Sequence, residues 1–387
     1  MERTFPELEQ TWIPALVESW RAARKTKGPP GALTGTELRE VAAAVKRLSH
    51  GLTRDRALAG ARYLDDPALL GAYLLFYWPI SYAQGRHALF ELHRKPRTVL
   101  DLGAGPGPLS FAALDHGAAE VTAADRSEPA LQMARAIAGL AGEPLRVRRW
   151  DGPGKGALPE GQFDLILLGH VVNELWAGNR EAALRRAELL ERLLDSLSPK
   201  GSLLVIEPAL RETSRGLLEV RDLLVAHGHA VRSPCLFRGP CPALVKESDW
   251  CHAERPWDPP QLVKEIGKVA GLNKEALKMT YLLVASKGEP WPELQPGKRL
   301  FRIVSEPLHG KGRLRYMGCG PEGRVGLALQ EKHQTPANRP FARLGRGDVI
   351  ALSGTEAKGD GVALGAEGAV EVVAPAGKAL PESWEWS

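Results

Sequence analysis

Apolar residues recur at two different spacings along this chain, and the spacing changes twice. Up to about residue 96 they fall at helical intervals. Thr34-Gly-Thr-Glu37 has the pattern of a capping box and precedes the periodic run Leu38 to Leu48. Asp66-Pro67 opens a further helix, Ala68 to Trp78, which Pro79 should stop. Its aromatics, Tyr73, Phe76, Tyr77 and Trp78, suit helix packing, with stacking on RNA bases as the alternative.

From Arg97 short apolar strands alternate with helices. Thr98–Leu102, Ala119–Ala124, Leu145–Arg149, Phe163–Leu168, Gly201–Ile206 and Leu277–Ala285 read as strands. Arg180–Ser196 and Ser214–Val225 read as helices. Such alternation predicts an α/β fold with a parallel, doubly wound sheet. Residues 232–260 interrupt it with prolines, three cysteines and two tryptophans. After Lys287 the helical spacing disappears. Phe301–Val304, Val325–Leu329 and Val349–Leu352 are strand-like runs separated by Gly and Pro, as in a small β barrel of the kind that binds oligonucleotides. Trp384-Glu-Trp386 reads as a loose tail. The expected organisation is a helical region (1–96), an α/β domain (97–287) containing the Cys-rich insertion 232–260, and a C-terminal β domain (288–387).

Composition narrows the class. The chain has 387 residues, 44% hydrophobic and 25% charged, which excludes a disordered tail, a collagen or a disulfide scaffold. No run of 18 apolar residues occurs, so no membrane span is expected. Met-Glu-Arg-Thr-Phe-Pro lacks the basic start and apolar run of a signal peptide, and the expected location is the cytoplasm. The net charge of +5 is unevenly placed. Residues 1–100 hold fifteen Lys/Arg against ten Asp/Glu, and residues 298–346 eleven against three. Basic flanks around a near-neutral middle suit an RNA partner, although a solvated surface would look the same.

The first strand ends in Asp101-Leu-Gly103-Ala-Gly105-Pro-Gly107-Pro108. Glycines there let a backbone pass close to a ligand, and the next helix offers free N–H groups. Asp125, ending the next strand, is placed to accept hydrogen bonds from ribose hydroxyls. A dinucleotide fingerprint would need glycine where Pro108 stands. The pattern instead resembles motif I of S-adenosylmethionine-dependent methyltransferases, Asp-x-Gly-x-Gly-x-Gly. That resemblance implies a class I, seven-stranded, doubly wound sheet. It places Asp151 near the adenine amine and Gly169-His170-Val-Val-Asn173-Glu174-Leu beside the methyl group. Leu197-Ser-Pro-Lys-Gly-Ser-Leu matches the strand that follows in those enzymes.

Cys235, Cys241, Cys251 and Cys319 are the only cysteines. No Cys-x2-Cys knuckle is present, so ligand count allows zinc or a four-iron cluster, and the irregular, proline-flanked spacing favours the cluster. With these residues the chain resembles the methyltransferase-like protein family of the mitochondrial small ribosomal subunit and its bacterial relatives, from about Ala72 to about Asp348. Pro79 and Tyr82, the glycine turn, Ile206-Glu207-Pro208, Asp-Trp-Cys251-His, Phe301-Arg-Ile-Val304 and Cys319 carry it. The resemblance implies a role in small-subunit assembly or rRNA modification, and a [4Fe-4S] cluster on the four cysteines. Leu236-Phe237 and Ala253 depart from the family pattern.

Two chemistries lack their usual groups. Amino methylation of bases commonly uses an Asp/Asn-Pro-Pro-aromatic loop, where this chain has Gly-His-Val-Val. Cytosine carbon-5 methylation needs a cysteine nucleophile, and all four cysteines are assigned to metal. His170 and Glu174 remain as candidate bases and Asn173 as a positioning group. The expectations are therefore an S-adenosylmethionine-dependent rRNA methyltransferase, a non-catalytic assembly factor that binds rRNA or the pre-ribosomal small subunit, or, more weakly, a small-molecule methyltransferase.

Overall fold

A computed structural model describes residues 5–153, 158–291, 299–359 and 361–381. The Trp384–Trp386 tail lies outside the described residues. Four helices come first: α1 (Ile13–Arg24), α2 (Gly35–Thr53), α3 (Pro67–Ala72) and α4 (Trp78–Leu89). The capping box forms, with the Glu37 N–H donating to Thr34 Oγ1 and the Thr34 N–H donating to Glu37 Oε2 at 2.7 Å. Pro79 does not end its helix. One widened turn, Tyr73–Tyr77, joins α3 to α4, with the Trp78 N–H reaching back to the Tyr73 carbonyl. The extra residue in that turn accommodates the proline, which lacks a donor of its own. The aromatics are packing groups and are not free to stack on RNA: Phe76 and Trp78 are fully buried, and Tyr73 and Tyr77 rest half-buried on the same core.

The sheet contains β1 (Thr98–Leu102), β2 (Glu120–Asp125), β3 (Leu145–Arg149), β4 (Phe163–Gly169), β5 (Leu197–Pro208), β6 (Val231–Ser233), β7 (Ala253–Pro256) and β8 (Ala276–Ala285). Its order is β3-β2-β1-β4-β5-β8-β6, and β7 also pairs with β8. Helices α5 (Pro108–Asp115), α6 (Glu128–Ala141), α7 (Ala182–Leu194), α8 (Arg211–Ala226) and α9 (Gln261–Ala270) flank it. Alternate residues of each strand feed opposite cores. Val99, Leu165, Leu167, Leu204 and Ile206 face the N-terminal helices, α5, α6 and α9. Leu100, Leu102, Ile166, Leu168, Leu203 and Val205 face α7 and α8. The N-terminal helices thus share one core with the sheet.

Two expectations change. The sheet is mixed, because β8 runs antiparallel to β5, β6 and β7. It also has eight strands where seven were expected. β6 pairs with Val284 and Leu283, and β7 with Met279 back to Ala276, while β5 occupies the other edge of β8. So β6 and β7 are successive pieces of one edge lane. The Cys-rich stretch, residues 234–252, is an excursion from that split lane.

The remaining strands are β9 (Arg299–Ile303), β10 (Leu308–Gly310), β11 (Arg313–Gly320), β12 (Gly323–Gln330), β13 (Val349–Lys358) and β14 (Gly361–Ala374). Pairing closes a ring, β9-β11-β12-β14-β13-β9, with β12 parallel to β14 and the other neighbours antiparallel. Phe301, Tyr316, Leu327, Leu329, Phe341, Ile350 and Leu364 fill it. The ring is thus a closed five-stranded β barrel with a single parallel pair.

Candidate functional site at the switch point

Strands β1 and β4 are neighbours, and the chain leaves them in opposite directions across the sheet. Open doubly wound sheets bind ligands in the crevice at the carboxyl ends of such a pair. A cleft of about 390 Å³ opens there. Gly103, Gly105, Asp125, Trp150, Asp151, Gly169, His170 and Glu174 line it, and the segment Gly60–Leu64 with Tyr73 covers it. Of the residues singled out in sequence, Asp101, Gly107 and Asn173 do not line the cleft.

The glycine turn has the backbone that requires glycine. Gly103, Gly105 and Gly107 have φ of 72°, 54° and 83°. A Cβ on Gly103 would lie 2.5 Å from Val171. From behind, Trp78 Nε1–H donates to the Pro106 carbonyl at 3.0 Å. Asp101 sits buried beneath the turn and accepts the Ser110 hydroxyl at 2.7 Å. Burial pushes its carboxyl up to about 7. Asp125 is aimed by two amides, those of Gly105 and Ser127, each at 2.8 Å. Burial pushes its pKa up while those N–H groups oppose the shift. Each of its oxygens keeps a lone pair for a ligand hydroxyl.

His170 has φ 61° and is held by Gln84, whose Oε1 lies 2.9 Å from Nε2. The Gln84 amide in turn donates to the Lys278 carbonyl at 3.0 Å, which fixes its orientation. The network assigns the proton to Nε2 and leaves Nδ1 buried with no partner. Burial lowers the His170 pKa to about 4, so the ring is neutral at pH 7.

Asn173 points away from the cleft. Its amide donates to Glu207 and to the His170 carbonyl, and its Oδ1 accepts from Arg56 at 2.6 Å. Burial raises Glu207 to about 8. Asn173 is therefore a positioning residue under the loop. Glu174 does face the cleft. It accepts the Gly60 N–H at 3.3 Å and the Tyr63 hydroxyl at 3.4 Å, and burial raises it to about 7. Arg126 donates to the Gly60 and Ala61 carbonyls, and Ser127 to Asp65, so the covering segment is pinned to both sides of the cleft. Sequence reasoning missed Tyr63, Gln84, Arg126 and Trp176. None belongs to a motif, and the covering segment carries no periodic signal.

The Cys-rich excursion is fastened to α8. Arg215 donates to the carbonyls of Ala243, Leu244, Lys246 and Asp249. Arg221 donates to those of Phe237 and Gly239, and the Cys241 N–H donates to Asp222 at 2.8 Å. Cys319 comes from β11. Burial, then the charges of Cys235, Cys241 and Cys319, push the Cys251 thiol up. Burial, with Cys235 and Cys241, pushes Cys319 up to about 12. The four thiols therefore share one neighbourhood, with Arg221 and Arg324 beside them. Among the described residues, no group of three or more His, Cys, Asp or Glu side chains is gathered so as to hold a metal ion. The donor set suits a thiophilic group, but the thiols do not close around a single ion.

Residues 70–349 match the family described as "Mitochondrial small ribosomal subunit Rsm22". The chain belongs to this family. The match begins within α3, spans the whole sheet and the excursion, and ends at the first residue of β13. Comparison with curated proteins finds no match. Solved structures similar to this Rsm22-family chain include a protein described as a class I S-adenosylmethionine-dependent methyltransferase from Listeria monocytogenes (12% identity, 75% of this chain and 92% of that one, TM-score 0.40). Others are a methyltransferase from Pyrococcus furiosus (15%, 54% and 83%, 0.36) and a ribosomal protein L11 methylase from Lactobacillus delbrueckii subsp. bulgaricus (17%, 54% and 77%, 0.33). Strand order and the cleft define the fold and site of the Rsm22-family chain; likeness at these scores adds nothing to them. Among the described residues no helix is long and apolar enough to cross a membrane.

Glu174 gives this site a pH signature. Its carboxyl ordinarily titrates at 4.5, and in the folded site it holds its proton to about 7. Between those values the native state binds more protons than the unfolded chain. Glu174's contribution to stability is therefore full below about 4.5 and is lost as pH rises to about 7. Glu174→Gln keeps an acceptor for Gly60 and never ionises. It should flatten part of the fall in urea midpoint between pH 5 and pH 8, leaving the share due to Asp101 and Glu207. An unchanged slope would contradict the assignment.

Proposed function

We propose that the cleft binds S-adenosylmethionine and that the protein methylates RNA of the small ribosomal subunit or its precursor. The observation that carries this is the left-handed glycine turn beneath an amide-aimed Asp125 at the switch point. The link to the small subunit comes from the name of the family to which the chain belongs. S-adenosylmethionine would supply an electrophilic methyl group.

The chain's own residues divide the remaining work. The left-handed Gly103–Gly107 turn, free of side chains at Gly103 and Gly105, lets the ligand's polar end approach the backbone closely. Asp125 accepts from the ribose hydroxyls. Trp150 and Asp151 flank the base. His170, neutral and fixed by Gln84, presents a bare Nδ1 lone pair. Glu174, titrating near 7, is the group best matched to take a proton from a nucleophile at neutral pH. Gly60–Leu64 excludes water from above.

A second reading is a ligand-binding assembly factor that transfers nothing. The engagement of Asn173 by Glu207 and Arg56 favours it, since that side chain is occupied in holding the loop. Tritiated methyl transfer to RNA of immature small subunits separates the two. Methylation should appear with the wild-type protein, disappear with Gly105→Arg, whose side chain would fill the cleft, and fall at least tenfold with Glu174→Gln. No transfer by wild-type protein that binds the RNA, with equal assembly rescue by Gly105→Arg, would overturn the enzyme reading.

In the same reading Cys235, Cys241, Cys251 and Cys319 hold a [4Fe-4S] cluster, with zinc as the alternative. A donor set of four thiols, each of whose charges bears on the titration of another, supports it. Arg221 and Arg324 would offset its negative charge. All four ligands are used, so the group is structural and joins the excursion to the barrel. Protein purified without oxygen should carry about four irons per chain. Cys319→Ser should lose iron and melt several degrees lower. Retained iron with unchanged melting would contradict this role, and zinc in place of iron would favour the alternative.

A further inference from the structure

One wall of the barrel carries cations with no ion-pair partner among the described residues, and few large side chains. Along β11, Tyr316 and Gly318 turn inward, and Arg313, Arg315 and Met317 turn outward with Cys319. Opposite Arg315 stands Ala328 of β12, and beside it Ala363 of β14. Opposite Met317 stands Gly326, where an added Cβ would meet nothing within 4 Å. The wall is therefore flat. At its hairpin end lies a cleft of about 680 Å³, lined by Lys311, Arg313 and Lys332, with Glu331 as the single carboxylate. Arg313, Arg315, Lys311 and Lys332 are exposed, and among the described residues none of them is ion-paired.

We propose that this wall binds the sugar–phosphate backbone of RNA. Three observations select that occupant. First, the exposed charge is mostly positive: Lys311, Arg313, Arg315 and Lys332 stand against Glu331 at the hairpin end and Glu356 of β13 opposite Ala363. Second, same-face neighbours on a strand lie roughly 6.6 Å apart, so Arg313 and Arg315 are spaced on the scale of one nucleotide step. Third, among the described residues the wall carries no aromatic side chain, and its large apolar groups are only Leu308 of β10, opposite Arg315, and Met317. A protein partner would need aromatic or clustered apolar anchors. Base stacking would need aromatics as well, so contact falls on phosphates and sequence preference is weak.

The proposal rests on the reading that the protein works on ribosomal RNA, and it assigns that contact to a surface separate from the methyl-transfer cleft. The test is fluorescence anisotropy of a labelled, mixed-sequence single-stranded RNA with the full-length, metal-loaded protein across a salt series. The variants are Arg313→Gln/Arg315→Gln and Arg313→Glu/Arg315→Glu. Neither changes the barrel interior, and both should keep the wild-type melting temperature and S-adenosylmethionine affinity. The Gln pair should bind at least tenfold more weakly, and the slope of log K against log salt should shrink by about 1.4, or 0.7 per lost phosphate contact. The Glu pair should bind more weakly still. Scrambling the RNA sequence should change little. Wild-type binding that both variants retain, with the same slope, would overturn the wall while leaving the RNA reading intact. Absence of RNA binding by the wild type would overturn both. Loss of polyglutamate binding with RNA binding kept would assign the wall to an acidic protein instead, and would also overturn the proposal.

Discussion

A carboxylate buried away from solvent sets the relative positions of the three parts of this molecule. Glu91, just past α4, is buried to 3% exposure. It accepts hydrogen bonds from Arg255 of β7 at 3.0 Å, Tyr281 of β8 at 2.7 Å and Ser233 of β6, and it pairs with Arg302 of β9 at 3.8 Å. Burial alone would raise its pKa, but the two guanidiniums outweigh it and hold the group below the usual carboxylate range. Desolvating each ion costs several kcal/mol, so removing one partner would leave a buried charge uncompensated, at about 3–5 kcal/mol. The consequence is geometric. Ser233 and Arg255 lie on either side of the Cys-rich excursion, and Arg302 stands directly across from Cys319. One carboxylate thus fixes both feet of the excursion and the strand that brings the fourth thiol. The barrel wall with Arg313 and Arg315 is an extension of that same strand.

The same helix serves the cleft at its other end. Trp78, at the start of α4, stacks on Tyr82 at 5.4 Å and bonds the carbonyl of Pro106 inside the glycine turn. Gly85 lets α4 lie against α5, since a Cβ there would come within 3.2 Å of Ala112. The cleft is thus braced from behind by α4 and covered in front by the chain just before α3. Around it burial raises three carboxyls, Asp101 and Glu174 to about 7 and Glu207 to about 8. A site that holds carboxyls neutral at such cost gains from a cationic ligand, because a nearby positive charge favours their ionised form. A sulfonium centre is a ligand of that kind.

Much of this was legible in the chain. Strands such as Thr98–Leu102 and Leu145–Arg149 were visible because each is a short apolar or alternating run closed by turn residues, and a strand's period of two survives any tertiary setting. The glycine turn was visible because its left-handed backbone admits few other residues. The rest depended on contacts distant in sequence. Pro79 reads as a stop until the widened turn before it is seen. The strands Val231–Ser233 and Ala253–Pro256 are too short to show a period, so the split lane was invisible. Asn173 lies in the loop that borders the cleft, but its side chain turns toward Glu207 and is held by Arg56, more than a hundred residues away in sequence. Glu91, Arg221 and Arg255 are single charges in no motif. Their importance comes from burial, which a sequence does not display.

Equilibrium binding of S-adenosylmethionine to the folded, full-length protein tests the central claim most directly, because it needs no knowledge of the methylated nucleotide. The account predicts saturable binding at one site per chain, lost when Gly105→Arg fills the cleft in a variant that still unfolds cooperatively. Wild-type protein that is folded and metal-loaded yet shows no saturable binding would contradict it, and the switch-point cleft would then be only part of an RNA-binding scaffold.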